Sequence, residues 1–438
     1  METKLKRIAE IAERDPKCQF TSLAHLLNEE NLKGCYFELK RDAAAGVDGR
    51  TWEEYGAELE ENISDLVRRL KAKKYWPRPV RRTYIPKEGK PEMRPIGIPA
   101  LEDKIVQRAI AKILTAIFEA DFLDVSYGFR PGKSPHEALD VVDKTIMARP
   151  VNWVLDADIE GFFDNVDHEW MMRCLEQRIK DRTLLKLIRR FLEAGIIEEG
   201  KFYETERGTP QGGNLSPILS NIYLHYVLDL WVERKLKREL SGYVGLIRFA
   251  DDYILCFQRK AEAEAGERAL KQRLAKFGLE LSEEKTRLIA FGRYARQNAG
   301  RCGKKPETFD FLGFTHYCDK TRKGKFKVGR KTAAKKFRSK FRALSRWVKA
   351  ASRVMSPAEW WPLLRAKLIG HYRYYGVSGN YPMLARYYQL TIRLVYKWLN
   401  RRSQKASYNW EEFRRYLERH PLPKPKIYHN LYTLCKDW

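Results

Sequence analysis

Carboxylates stand at two places where strongly apolar strands run out. Trp153-Val154-Leu155 leads into Asp156-Ala157-Asp158-Ile159-Glu160-Gly161-Phe162-Phe163-Asp164, and Gly245-Leu246-Ile247-Arg248-Phe249 reaches Ala250-Asp251-Asp252 before Tyr253-Ile254-Leu255-Cys256-Phe257 begins. The second pattern is strand, acidic tip, strand, which predicts a hairpin with adjacent aspartates at its turn. Asp is an ordinary turn residue, so one reading of the pair is a polar bend and nothing more. Crowded carboxylates, however, either rise in pKa or share a cation. If the two segments lie side by side, Asp158, Asp251 and Asp252 converge as hard oxygen donors able to hold two Mg²⁺ ions, roughly 3.5–4 Å apart as in-line phosphoryl transfer requires. In such a site one ion lowers the pKa of an attacking hydroxyl and the other steadies the leaving pyrophosphate.

The surrounding pattern supplies elements to position these groups. Helices are expected between about 21 and 75, where Leu59, Ile63, Leu66 and Leu70 recur at helical spacing. Residues 82–99 alternate as a short hairpin with Lys87-Glu88-Gly89-Lys90 at its bend, and this hairpin presents Lys87, Lys90 and Arg94. Helices follow over 101–120 and 134–148, then the Asp158 strand, then helices over about 167–195. Asp164 and Asp167 read as caps rather than ligands. The Gly- and Pro-rich stretch Gly208-Thr209-Pro210-Gln211-Gly212-Gly213-Asn214-Leu215-Ser216-Pro217 forms a loop in which backbone can approach a ligand, and it opens a helix running to about 239. After the Asp251 hairpin come a helix at 261–277, short strands at 279–281 and 288–291, a polar loop at 293–307 and the apolar run Phe309–Phe314. Beyond Lys320 the pattern is helical, with breaks at Ser356-Pro357, Gly376–Gly379 and Pro421–Pro425. Helix, strand, helix, hairpin, helix, strand is an α+β order.

At 438 residues the chain has room for two or three domains. Its charge is uneven. From Lys320 onward there are 30 Lys and Arg against 5 acidic residues, whereas the first 319 residues hold 54 against 52. A near-neutral body with a cationic final quarter is the footprint of a polyanion binder. Aromatic residues threaded through that quarter, among them Phe337, Trp347, Tyr374 and Trp398, could stack on bases. No apolar run approaches the ~18–20 residues of a membrane span, and the N-terminus enters a charged helix without a signal-peptide core, so no membrane role and a cytoplasmic location are expected. Seven widely spread Cys with no Cys-x-x-Cys indicate neither a disulfide framework nor a zinc ribbon. Gly132-Lys133-Ser134 fails as a phosphate loop, since the pattern needs a Gly where Tyr127 stands.

Taken in this order, the motifs resemble those of the reverse transcriptases encoded by group II introns. Phe249-Ala250-Asp251-Asp252 resembles the family's Tyr-Ala-Asp-Asp box, the loop from Gly208 to Pro217 its Gln-Gly-Gly-x-Leu-Ser-Pro box, and Asp158 followed by Phe162-Phe163 its first catalytic box. Ser126–Gly132 and Phe311-Leu312-Gly313-Phe314 are also similar, and Leu364–Gly376 looks like the signature of the maturase domain. The resemblance implies a right-hand polymerase of α+β class: an N-terminal extension (1–80), fingers and a palm with an antiparallel sheet (81–315), an α-helical thumb or maturase domain (316–390) and a small basic helical DNA-binding domain (391–438). It implies that Asp158, Asp251 and Asp252 hold two Mg²⁺ ions with the carbonyl of Ile159 as a further ligand. Lys87 and Arg94 would grip the incoming deoxynucleoside triphosphate and Gln211 would line its pocket. Phe163, or second Phe162, would exclude a 2′-hydroxyl. Lys285, Arg365, Lys367, Arg373, Arg401, Arg402 and Lys405 would contact nucleic acid. The implied partners are intron RNA, an RNA template with a DNA primer, and target DNA.

Two departures stand out. Phe249 replaces the box's Tyr, removing a hydroxyl beside the primer end, and no His-Asn-His endonuclease segment or accompanying Cys pairs appear, so priming from an existing nick or replication intermediate is expected. Two other readings stay open at this level: a splicing factor with a vestigial polymerase, and a reverse transcriptase recruited to host defence without an intron.

Overall fold

The computed structural model describes residues 2–86, 92–209, 212–401 and 408–432. The chain divides into two units. One holds the residues before Lys87 together with Glu92–Ala138 and Leu155–Leu288; the other holds Leu139–Val154 and the chain from Ile289 onward. In chain order the strands are β1 (Val80–Pro86), β2 (Met93–Ile98), β3 (Trp153–Asp158), β4 (Ile196–Glu198), β5 (Lys201–Tyr203), β6 (Val244–Phe249), β7 (Asp252–Phe257), β8 (Arg287–Ala290), β9 (Thr308–Phe311), β10 (Phe314–Lys320) and β11 (Phe326–Thr332). Helices and mainly antiparallel sheets make this a mixed α and β fold.

The sheet that matters most for chemistry has the order β6-β7-β3-β8. Its strands β6 and β7 pair antiparallel from Val244↔Phe257 to Phe249↔Asp252. Both are buried along nearly their whole length, which is why they read as continuous apolar runs rather than alternating ones. The helix Lys260–Ala275 buries Ala263, Leu270 and Leu274 and packs on β7. The order also sets the strand that ends in Asp158 beside the strand that starts at Asp252.

A second sheet in the same unit runs β2-β1-β4-β5. The expected hairpin is β1 and β2, in register from Arg81↔Ile98 to Pro86↔Met93; its bend lies outside the described residues. Sequence patterning gives no sign of β4 and β5. They are three residues each, too short for alternation to register, yet β4 pairs in parallel with β1 through Val80↔Ile196 and Arg81↔Ile197. The helices expected over about 167–195 are His168–Leu175 and Arg182–Leu192, each capped by an aspartate, Asp167 and Asp181.

The second unit contains the sheet β11-β10-β9 and the basic helices. Here two expectations are corrected. Residues 326–332 form β11, not helix: Val328, Arg330 and Thr332 point inward, and the inward Arg breaks the apolar alternation that would have marked a strand. Arg330 is fully buried and pairs with buried Asp143 at 2.6 Å. Within the polar stretch read as a loop, Ala295–Arg301 is helical, with only Ala295 buried and hence no apolar stripe to announce it. The helices Ala334–Val354, Pro357–Tyr375 and Tyr381–Leu399 pack on one another and break where expected, Ser356 and Glu359 forming a capping box. No helix among the described residues is long and apolar enough to cross a membrane.

Beneath the β1 end of the first unit, Asp103 is buried and accepts hydrogen bonds from the Tyr75 phenol and, at 3.0 Å, the backbone N–H of Arg78. Burial pushes its carboxyl up to about 7 despite those bonds. A carboxyl raised on folding contributes stability that is complete below its unfolded value, about 3.9, and is lost as pH rises through its folded value. Asp103→Asn removes that dependence. The melting temperature of the variant should therefore gain on that of the parent between about pH 5 and about pH 8; a gap that stays constant would contradict the assignment.

Candidate active site

With Phe249 paired to Asp252, the β6–β7 hairpin turns through only Ala250 and Asp251. A two-residue hairpin loop needs a positive φ at its first position or at both. Ala250 supplies it at +57°, a conformation costing a non-glycine residue roughly 1–2 kcal/mol. Arg248, fully buried, holds that turn from below. Its Nε and Nη2 donate to Asp229 Oδ1 and Oδ2 at 2.7 and 2.5 Å, and its Nη1 donates to Asn221 Oδ1 and to the carbonyl of Ala250, each at 3.0 Å. Asn221 in turn donates its amide to the carbonyl of Gly128 at 2.7 Å. The segment before Gly128 lies along β6, with Arg248 N donating to Val125 O at 2.7 Å and Tyr127 N donating to Arg248 O at 2.9 Å. Gly128 then presses on the turn so closely that a Cβ there would lie 2.3 Å from the nitrogen of Ala250.

Asp158 ends β3 on the neighbouring strand. Its carbonyl accepts from Ser282 N at 2.8 Å, and Glu160 N donates to Glu280 O at 2.9 Å. These two bonds flank the Ile159↔Leu281 bridge, so the N–H and C=O of Ile159 face away from Leu281. The Asp158 carboxylate forms an ion pair with Lys285 Nζ. Its charge also reaches across the strands. Burial first, and then Asp158, push the Asp251 carboxyl above the ordinary range, against its own backbone N–H, Arg94 and Arg248. The buried phenol of Tyr253 is pushed up by the same two influences. Among the described residues no three His, Cys, Asp or Glu side chains are drawn together as a ready cluster. What stands there is a pair of carboxylates, Asp158 and Asp251, whose charges oppose one another, with an ammonium on the first. That donor chemistry fits a hard divalent cation.

Of the residues expected to meet a nucleotide, Arg94 lies on β2 opposite Ile85, exposed, its charge felt at Asp251. Lys87 and Gln211 lie outside the described residues. Phe162 is buried, whereas Phe163 is half-exposed and lines a cavity of about 520 Å³ with Arg82, Pro95, Gly97 and Thr209. Gly212 closes on β2: it has φ +111°, and a Cβ there would sit 2.7 Å from the carbonyl oxygen of Gly97. The chain just beyond it is fastened by Asn214, whose N–H donates to Gln107 Oε1 at 3.0 Å.

The expected nucleic-acid contacts belong to the second unit, except for Lys285. Arg365, Lys367 and Arg373 are exposed on the helix Pro357–Tyr375, with Lys367 Nζ 4.7 Å from the centroid of the Trp347 ring. Arg401 is exposed beside Trp398, and Arg402 and Lys405 lie outside the described residues. Patterning missed the Arg248, Asp229 and Asn221 set and the Lys285 partner of Asp158. One signal was present, since a charged residue inside a fully apolar strand needs a buried partner.

Residues 85–316, just over half of the chain, match the family described as reverse transcriptase (RNA-dependent DNA polymerase). The chain belongs to that family. It is 38% identical over 234 residues to the group II intron-encoded protein LtrA of Lactococcus lactis subsp. cremoris, a match covering 53% of this chain and 39% of that protein. It is 32% identical over 293 residues to protein YkfC of Escherichia coli (strain K12), covering 59% of this chain and 77% of YkfC. Nuclear intron maturase 1, mitochondrial, of Arabidopsis thaliana is 34% identical over 90 residues, 20% of this chain and 12% of that protein. The chain thus spans about two-fifths of the length of LtrA.

The close approach of Gly128 yields a test of the turn. Gly128→Ala forces a methyl group onto the Ala250 backbone, so primer extension should fall by about two orders of magnitude, as a displacement of roughly 1 Å at a reacting centre does. Melting should show a folded protein. Undiminished extension would mean the turn has slack that its geometry denies.

Proposed function

We propose that the protein is an RNA-directed DNA polymerase encoded by a group II intron, and that it also binds intron RNA as a maturase, promoting splicing and supporting intron mobility. The observation that supports this reading is the place of Asp158 at the end of β3, next in the sheet to β7, which starts at Asp252 directly after the Asp251 turn, within a chain of the reverse transcriptase family. In this reading the β6-β7-β3-β8 sheet is the palm and the β1–β2 hairpin belongs to the fingers, both within residues 81–315, residues 316–390 are the thumb or maturase domain, and residues 391–438 are a DNA-binding domain.

Asp158, Asp251, Asp252 and the carbonyl of Ile159 would hold two divalent ions, magnesium by the hardness of the oxygen donors. When bound, such ions lower the pKa of the primer 3′-hydroxyl and neutralise charge on the departing pyrophosphate. The side chains do the rest. Arg94 and Lys87 orient the triphosphate, Arg by bidentate bonds to phosphate and Lys as a point charge. Gln211 lines the nucleotide pocket. Phe163, the accessible member of its pair, stands under the sugar and leaves no room for a 2′-hydroxyl. Lys285, paired with Asp158 here, would be free to reach primer or nucleotide phosphate where a cation neutralised that carboxylate instead. The cationic final quarter binds intron RNA and target DNA through Arg365, Lys367, Arg373, Arg401, Arg402 and Lys405, with aromatic rings beside the charges.

Two experiments check the assignment. Asp251→Ala with Asp252→Ala should abolish Mg²⁺-dependent cDNA synthesis and leave the affinity for intron RNA unchanged; continued extension would refute the site. Phe163→Val should raise ribonucleotide incorporation by at least about tenfold relative to deoxynucleotide, the scale of one pocket contact worth ~1.4 kcal/mol. Unchanged sugar selection would assign Phe163 to packing alone.

A further inference from the structure

The helix that follows Ser216-Pro217 is not α-helical throughout. Ser216–Leu224 is α, and His225–Asp229 and Val232–Leu236 are π turns. Asn221 and Asp229 lie eight positions apart, and on a regular α-helix, at about 100° per residue, that separation would turn Asp229 some 80° away from Asn221. A π turn takes up an extra residue, so the pair behaves as if about two full turns apart and shares a face. On that face both grip one guanidinium, that of Arg248.

The site they serve is small and stiff. Arg248 Nη1 holds the carbonyl of Ala250, Asn221 holds the carbonyl of Gly128, and Gly128 abuts the Ala250 nitrogen, so the turn is restrained at its carbonyl side and at its nitrogen side by the same pair of residues. Asn221, Asp229 and Arg248 are all essentially without exposed surface. Stability gives weak grounds for such an arrangement, because a buried ion pair is often no more stable than well-packed apolar residues of similar volume. Its distinguishing product is direction: a left-handed Ala250 followed at once by two carboxylates.

We propose that Asn221 and Asp229 are positioning residues for the divalent-metal site: acting through Arg248, they fix the Ala250 turn so that Asp251 and Asp252 face the ion they share with Asp158. They touch neither substrate nor metal. The inference rests on the polymerase reading above.

The test uses the full chain and two variants, Asn221→Ala, which removes the bonds to Gly128 and to Arg248 Nη1 and leaves the Arg248–Asp229 ion pair, and Asp229→Asn, which keeps the shape and removes the charge. Three quantities are measured on each: thermal melting, the Mg²⁺ dependence of primer extension, and backbone cleavage by Fe²⁺ with ascorbate and peroxide, which cuts the chain beside a bound ion without needing polymerase activity. Both variants should raise the half-saturating Mg²⁺ several-fold and lower kcat on the order of tenfold or more, with KM for nucleotide little changed. Fe²⁺ cleavage beside Asp158 and Asp251 should fade in parallel. Should Asp229→Asn fail to fold, Asn221→Ala alone decides. Variants that melt earlier yet keep the parent's Mg²⁺ half-saturation and cleavage pattern would overturn the inference and leave these residues a purely structural part. Failure of the polymerase reading would look different: parental protein with neither extension nor Fe²⁺ cleavage at these positions.

Discussion

A guanidinium with no exposed surface must find partners for its N–H groups inside the protein, and Arg248 finds them in Asp229, Asn221 and the carbonyl of Ala250. Removing one partner of such a pair strands a buried charge, typically at a loss of about 3–5 kcal/mol, so the three groups are set together or not at all. Much of the first unit is arranged around this condition. The π turn His225–Asp229 brings Asp229 into phase with Asn221, the segment before Gly128 is laid along β6, and the hairpin closes in two residues with no slack. The tip that carries Asp251 and Asp252 is therefore a fixed feature of the core's edge rather than a free loop.

Rigidity alone would be a poor bargain for carboxylates. Held half-buried beside Asp158, Asp251 is driven toward its protonated form, and Lys285 answers only part of that charge from the Asp158 side. The arrangement is unfavourable for folding, and in the function proposed above it serves the capture of a hard cation. Functional sites commonly hold local rules in violation while the surrounding structure over-determines them. The left-handed Ala250 belongs to the same pattern.

Much of this was legible in the residues. Two apolar strands ending in acids can be recognised locally, because the strand period and the charges lie within about ten positions of one another. The β1–β2 hairpin and the helix breaks at Ser356 and Gly376 were equally local. What stayed hidden was long-range or short: the partners of Arg248 lie 19 and 27 positions away, that of Lys285 lies 127 away, and β4 and β5 have three residues each. In β11 an inward arginine, paired to Asp143 across 187 positions, disguised a strand as part of a basic helical tract. Charge on an inward face defeats period counting, since its compensation lies elsewhere in the chain.

The proposed chemistry requires Asp158 and the Asp251 turn to hold a common ion. A crystal structure grown with Mn²⁺ and a non-hydrolysable deoxynucleotide, with anomalous scattering to locate the metal, tests this directly. Anomalous density between Asp158 and Asp251, with Lys285 moved off the Asp158 carboxylate, is the predicted result. Saturating Mn²⁺ that leaves the Asp158–Lys285 ion pair in place and no metal between the two strands would contradict it.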